Sequence, residues 1–213
     1  MWQESKREIA LEDALLQYKM ILEHKSDIQN ETFRSTVTSV LRYIRVFMEE
    51  LCHDEQNSAL DNVERYANIC LEDYKNIELF LIQWETLFFS HKYSHRILAD
   101  EFLKRNAKIA KEIDFDKALN KAVNYKNEHF LRELLGIALE FDLDIKIKGK
   151  LLTALLSSYC QSNNIQASKE CVKKSIELGI PVSAESKQLY ENLKTNEGIL
   201  SRFLLYFKPI KRN

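Results

Sequence analysis

Few side chains in this 213-residue sequence are spaced for chemistry. His91-Lys92-Tyr93-Ser94-His95 sets two imidazoles four residues apart, the spacing that places two zinc ligands on one helix face. The stretch lacks the glutamate of His-Glu-x-x-His, and a zinc site needs two further ligands, for which Cys52 and His53 are candidates only if folding brings them near. A break between two helices, with His91 at the negative end of a helix dipole, explains the pair more simply. Cys52, Cys70, Cys160 and Cys171 fall inside apolar helical patterns and form no Cys-x-x-Cys pair. Reduced, buried thiols in an intracellular protein are expected from that placement. No nucleophile sits on a recognisable turn, and the carboxylate pairs Glu49-Glu50 and Asp54-Glu55 read as solvated helix ends. The sequence therefore predicts no enzyme, no catalytic residue, no metal site and no cofactor.

Cations offer the other chemistry, contact with phosphate, which needs Lys or Arg but carries no base sequence information. Residues 1–100 hold 11 Lys/Arg against 18 Asp/Glu, a balance of −7, while residues 101–213 hold 20 against 14, a balance of +6. Within the basic half, Lys117 and Lys121 share one predicted helix, and Lys146, Lys148 and Lys150 lead into another. Lys104, Arg105, Lys108 and Lys111 form a further cluster, and the tail adds Lys208, Lys211 and Arg212. Opposite-sign halves also permit head-to-tail self-contact. Ordinary solvated helix faces account for the same pattern.

The elements that must carry these groups are helices. The chain has only 4 Gly and 2 Pro, and none of either in the first 135 residues. Gly-rich phosphate loops and tight hairpin turns are excluded there. Apolar residues recur at i, i+3, i+4 and i+7 throughout. Leu11, Ala14, Leu15, Tyr18, Ile21 and Leu22 form such a stripe in a first helix over about 5–25. Helices are predicted near 31–52, 58–74, 75–91, 94–113 with an interruption near Asn106, 116–125, 128–141, 149–161, 165–178, 183–195 and 199–207. Ser58 and Ser183 suit N-caps, and Gly179 followed by Pro181 suits a helix stop. The longest strongly apolar stretch, Ile77 to Trp84, is far below membrane-spanning length.

Residues 151–186, LLTALLSSYCQSNNIQASKECVKKSIELGIPVSAES, contain a helix with Leu155, Leu156 and Tyr159, a polar turn at 161–164, and a second helix ending in Gly179-Ile180-Pro181. The small Ser168 falls where the two helices can approach closely. A hairpin of this kind needs a neighbouring hairpin to cover its apolar face. The segment resembles a pentatricopeptide repeat, a relative of the tetratricopeptide repeat, most clearly over 150–182. A looser copy covers 119–145 at an offset of roughly 32–33 residues, with Asp142-Leu143 in the place of Gly179-Ile180. The first helix is also similar to the second helix of such a repeat, with Ala14 at the close-contact position.

The resemblance implies an all-α antiparallel helix-hairpin array, a superhelix or solenoid of about 10–11 helices. It is expected to form a single domain over 1–213, weakly punctuated over 1–115, repeat-like over 116–196 and basic over 197–213. The register, opening on a second helix, suggests the C-terminal piece of a longer superhelix. The alternative is that Met1 is the true start and the first helix caps the bundle. The resemblance also implies single-stranded RNA as a ligand, read by two side chains per repeat. In this sequence those positions fall at Ala154 and near Ala184; Ala cannot hydrogen-bond a base, and Thr153 replaces Ala154 only if the register shifts by one.

The expectation is a non-enzymatic helical adaptor that takes a helix or peptide of a protein partner in a groove. Single-stranded RNA bound through the basic C-terminal half is the alternative. Neither DNA nor a membrane is an expected partner, and the oligomeric state is open. The start, MWQESKREIALEDALL, does not read as a signal or transit peptide. The expected compartment is the cytoplasm, or the mitochondrion if this chain derives from a longer precursor. The exposure of Trp84, Phe88, Phe89 and Tyr93 bears on where a partner could dock.

Overall fold

A computed structural model describes residues 2–24, 31–53 and 57–206, with side chains over 6–24, 34–50 and 60–195. The fold is all-α, and no strand occurs among the described residues. Eleven helices are described: α1 (Trp2–Glu23), α2 (Glu31–His53), α3 (Asn57–Tyr74), α4 (Glu78–Phe88), α5 (Tyr93–Arg105), α6 (Ala107–Ala110), α7 (Phe115–Asn124), α8 (Glu128–Glu140), α9 (Ile145–Gln161), α10 (Ile165–Glu177) and α11 (Ala184–Tyr206). The chain divides into two compact units, Met1–Ile113 and Asp114–Asn213. The sequence puts its change from weak to repeat-like punctuation close to that point.

In unit 1, α1 packs on α2 and α3, and α4 packs on α2, α3 and α5. The stripe predicted for α1 faces this core: Leu11, Ala14, Leu15, Tyr18 and Leu22 are buried. Helix α4 is buried nearly all round, including Phe80, Trp84, Leu87 and Phe88. Phe80 meets Phe102 of α5 at 5.5 Å between ring centroids, and Trp84 stacks on Phe88 at 5.0 Å. Geometries of this kind add about 0.5–1.5 kcal/mol per pair to the area term. Arg45 of α2 pairs with Glu85 of α4. The interruption expected near Asn106 is real: Asn106 lies between α5 and α6, and its side-chain amide donates to the Phe102 carbonyl at 3.0 Å.

Unit 2 is an array of hairpins. Helix α7 packs on α8, α8 on α9, and α9 on α10 and α11, while α9 also reaches back to α7. Side-chain oxygens start each helix. Asp114, Asn127, Asp144, Asn164 and Ser183 accept backbone N–H groups of Lys117, His129, Lys146, Ala167 and Ser186 at 2.7–3.2 Å. Each bond satisfies a donor that the helix itself leaves unpaired. Left-handed residues stop α7 to α10: Lys126, Asp142, Asn163 and Gly179 have φ between 46° and 62°. After α10, Ile180 N–H returns to the Ser175 carbonyl at 2.9 Å; after α8, Leu143 N–H returns to Ala138 at the same distance. Asp142-Leu143 thus takes the structural place of Gly179-Ile180.

The repeat offset is corrected by these stops. Lys126 to Asn163 and Asp142 to Gly179 are each 37 residues apart, not 32–33. The second helices, α8 and α10, are both 13 residues long, but α9 has 17 residues against 10 in α7. Two further differences concern boundaries. Helix α9 starts at Ile145 rather than Gly149, because Asp144 caps it; Gly149 lies inside the helix, where a Cβ would come within 2.9 Å of the Pro181 carbonyl oxygen. The two helices expected over 183–195 and 199–207 are one, α11. Ser168 is fully buried, as its small size suggested, and its hydroxyl donates to the Asn164 carbonyl at 2.9 Å.

Candidate functional site

The two histidines do not share a helix. His91 lies between α4 and α5, whereas His95 is buried in α5 with Nδ1 2.8 Å from Ser90 Oγ. Among the described residues no group of three or more His, Cys, Asp or Glu side chains is placed to hold a metal ion. The side chains of Cys52 and His53 lie outside those described. Cys70, Cys160 and Cys171 are free thiols and buried. Burial pushes the Cys70 and Cys171 thiols up to about 11, away from the reactive thiolate form. The aromatic residues in and just after α4 are core: Trp84, Phe88 and Phe89 are buried, whereas Tyr93 is exposed, with the Arg96 guanidinium 5.6 Å from its ring centre.

The lysines of unit 2 singled out in the sequence for phosphate contact lie, where described, on the first helices of its hairpins. Lys117 and Lys121 lie on α7, exposed and half-buried respectively, and Lys146 is exposed at the start of α9. Lys150 places its ammonium 2.6 and 2.7 Å from the two carboxylate oxygens of Asp116, tying α9 to α7. Lys148 is largely covered and donates to Asp142 at 2.6 Å. Thr153 turns its hydroxyl inward, where Oγ1 accepts the Ser183 N–H at 3.1 Å and so holds the start of α11. Ala154 is half-buried and Ala184 exposed. Lys208, Lys211 and Arg212 lie outside the described residues.

The opening that sequence reasoning missed lies elsewhere in unit 2, between the second helices α8 and α10. It is a groove of about 300 Å³ with α9 as its floor. One wall is the α8 stripe Arg132, Leu135, Gly136 and Leu139; the other is the α10 stripe Ala167, Glu170, Cys171 and Lys174. Each stripe runs i, i+3, i+4, i+7, one continuous helix face. Leu152, Leu155 and Tyr159 make the floor. At one end Arg132 donates from Nε to the Tyr159 hydroxyl at 2.6 Å and lies 5.4 Å from that ring's centre. Glu128 anchors the same end, accepting from Ser158 at 3.3 Å and Ser162 at 3.0 Å and facing Arg132 at 3.7 Å. Burial raises the pKa of Tyr159 and the Arg132 contact opposes that shift, so the phenol stays protonated at neutral pH.

Gly136 marks this groove. Two other glycines are accounted for inside the chain, Gly149 by Pro181 and Gly179 by its φ of +62°. Gly136 is helical, and a Cβ built on it would meet nothing within 4 Å. A mid-helix glycine costs roughly 0.5–1 kcal/mol relative to alanine, and no packing within the described chain requires it here. Its missing side chain leaves the α8 backbone open to close approach from outside. The signal in the sequence was Gly136 itself, alone in an apolar helical stripe.

No family model matches the chain, and neither a curated protein nor a solved structure matches it. Among the described residues no helix is long and apolar enough to cross a membrane.

Proposed function

We propose that this chain is a non-enzymatic helical adaptor that holds an amphipathic helix of a protein partner in the α8/α10 groove. The observation that carries this reading is the apolar groove with Gly136 open on its wall. A helix laid along such a groove presents i, i+4 and i+7 anchors to it. Within 300 Å³ there is room for two large side chains, since a cavity of about 150 Å³ takes one benzene-sized group. The pairing of Lys148 and Lys150 with aspartates supports a protein ligand over a nucleic acid on the opposite helices. The buried free thiols suit work in a reducing compartment, the cytoplasm.

The test selects helical peptides from a displayed library on the full chain and measures their affinity by fluorescence anisotropy. Gly136→Leu fills the groove from open space and replaces a poor helix former with a good one. Selected peptides are expected to bind the wild type and to lose about tenfold or more in affinity on the variant, the scale of one buried aliphatic anchor. Single-stranded RNA, the ligand implied by the pentatricopeptide resemblance, is titrated in parallel at several salt concentrations. Salt-dependent RNA binding without any groove-dependent peptide binding would overturn the reading.

A further inference from the structure

Helix α1 carries two apolar faces. One is the buried stripe described above. On the opposite side Ile9, Leu16 and Met20 are 56%, 46% and 51% exposed, with the exposed Asp13 between them. At about 100° per residue these four positions fall within a single narrow arc, diametrically opposite the core stripe. Among the described residues, unit 1 covers only one of the two faces. Leu16 and Met20, one turn apart, make a ridge of the size the groove admits.

Charge runs the same way. Residues 1–113 sum to −5 and residues 114–213 to +4. Asp13 makes no ion pair among the described residues, and neither does Lys174 on the α10 wall of the groove. Arg132, at the groove's end, is already engaged with Tyr159 and Glu128. The groove therefore offers Lys174 beside an apolar slot, with the Glu170 carboxylate one turn before it on the same wall, and α1 offers Asp13 beside an apolar ridge.

We propose that the groove's occupant is a second copy of this chain: Leu16 and Met20 of α1 in one molecule seat between α8 and α10 of the next, with Asp13 meeting Lys174. This rests on the groove-binding reading above and names its partner. The contact is heterologous, so each added molecule leaves one groove and one α1 face unoccupied and growth does not stop at a dimer unless a ring closes. One helix ridge in a groove of this size belongs to the small, transient class of interfaces, and association in the micromolar range is expected.

Sedimentation velocity on the full chain, from micromolar to hundreds of micromolar, is the test. The weight-average sedimentation coefficient should rise with concentration and fall with added salt. Leu16→Glu changes an exposed residue, and Gly136→Leu fills open space, so both variants should fold; circular dichroism checks this. Each should weaken association by about tenfold or more. Asp13→Lys and Lys174→Asp should each weaken it up to about fivefold, and the double reversal should restore it. A wild type that stays monomeric at every concentration, or association that survives both Leu16→Glu and Gly136→Leu, overturns the proposal. If the wild type is monomeric and library-selected peptides still need an open groove, only the second copy is excluded as occupant. If neither self-association nor groove-dependent peptide binding occurs, the groove reading falls as well.

Discussion

Helix α4 in unit 1 and helix α9 in unit 2 both lie at the centre of their surroundings, and they are held by different means. The N-cap of α4 is Ile77, which has no side-chain oxygen to offer; Asn76, one residue outside, accepts the Glu78 N–H at 3.1 Å. Neither Lys92 before α5 nor Asn106 before α6 caps its helix with its own side chain. Burial fixes α4 instead. It even encloses polar atoms without a hydrogen-bond partner among the described residues: Gln83 Oε1, Trp84 Nε1 and Thr86 Oγ1. By contrast α9 begins on the Asp144 carboxylate and ends before the left-handed Asn163, and a further hydroxyl seam joins it to α11 through Ser157 and Ser186 at 2.8 Å. Unit 1 shares one such stop, the left-handed Lys75 after α3, with the Asn76 N–H returning to the Cys70 carbonyl at 3.0 Å. Its central helix is nonetheless held by long-range aromatic packing, whereas in unit 2 side-chain caps and left-handed stops recur from helix to helix.

The largest break in that comparison comes from Phe80→Ala, which removes a fully buried ring in contact with Phe102. A loss of about 3–5 kcal/mol is expected. Urea unfolding followed by tryptophan fluorescence measures it, because both tryptophans lie in unit 1. A loss below about 1 kcal/mol would contradict the packing account. Next in size is Gly149→Ala, whose Cβ meets the backbone oxygen of Pro181 rather than a yielding side chain. It should destabilise by about 1–3 kcal/mol, whereas Ala at Gly136 should stabilise by roughly 0.5–1 kcal/mol. Thermal unfolding of the two variants by circular dichroism should give shifts of opposite sign. Asn164→Ala removes the cap of α10 and should cost about 1 kcal/mol; an unchanged transition would show that the cap is not what sets this helix.

High pH touches both units at once. The folded thiols of Cys70 and Cys171 titrate at about 11 because burial disfavours the thiolate. Between roughly pH 9 and 11 the unfolded chain has lost these protons and the folded chain keeps them, so stability falls as pH rises. Their contribution is complete below the unfolded pKa and gone above the folded one. Urea midpoints at about pH 8 and about pH 10 should differ more in the wild type than in the Cys70→Ala, Cys171→Ala double variant.

The contrast between the units also explains what can be read from the residues. Ser183, Gly179 and the break at Asn106 are legible because caps, left-handed stops and interruptions are local. The 37-residue offset is not, because α7 and α9 differ in length and the two hairpins are unequal. Gly149 reads as the start of α9, since a glycine usually marks an end; here its missing Cβ serves a contact with Pro181, which is distant in the sequence. The inward-facing stripe of α1 follows from spacing alone. The groove does not, because periodicity shows that a face is apolar but not whether the fold covers it. Ile9, Leu16 and Met20 carry the same ambiguity on α1.

Gly136→Leu tests the central claim most directly. Anisotropy titrations of groove-selected helical peptides against the wild type and this variant, with melting curves alongside, separate binding from folding. The account predicts a variant that melts at the same or a higher temperature and binds the peptides about tenfold or more weakly. A variant that melts as predicted and binds the peptides as tightly as the wild type would contradict it.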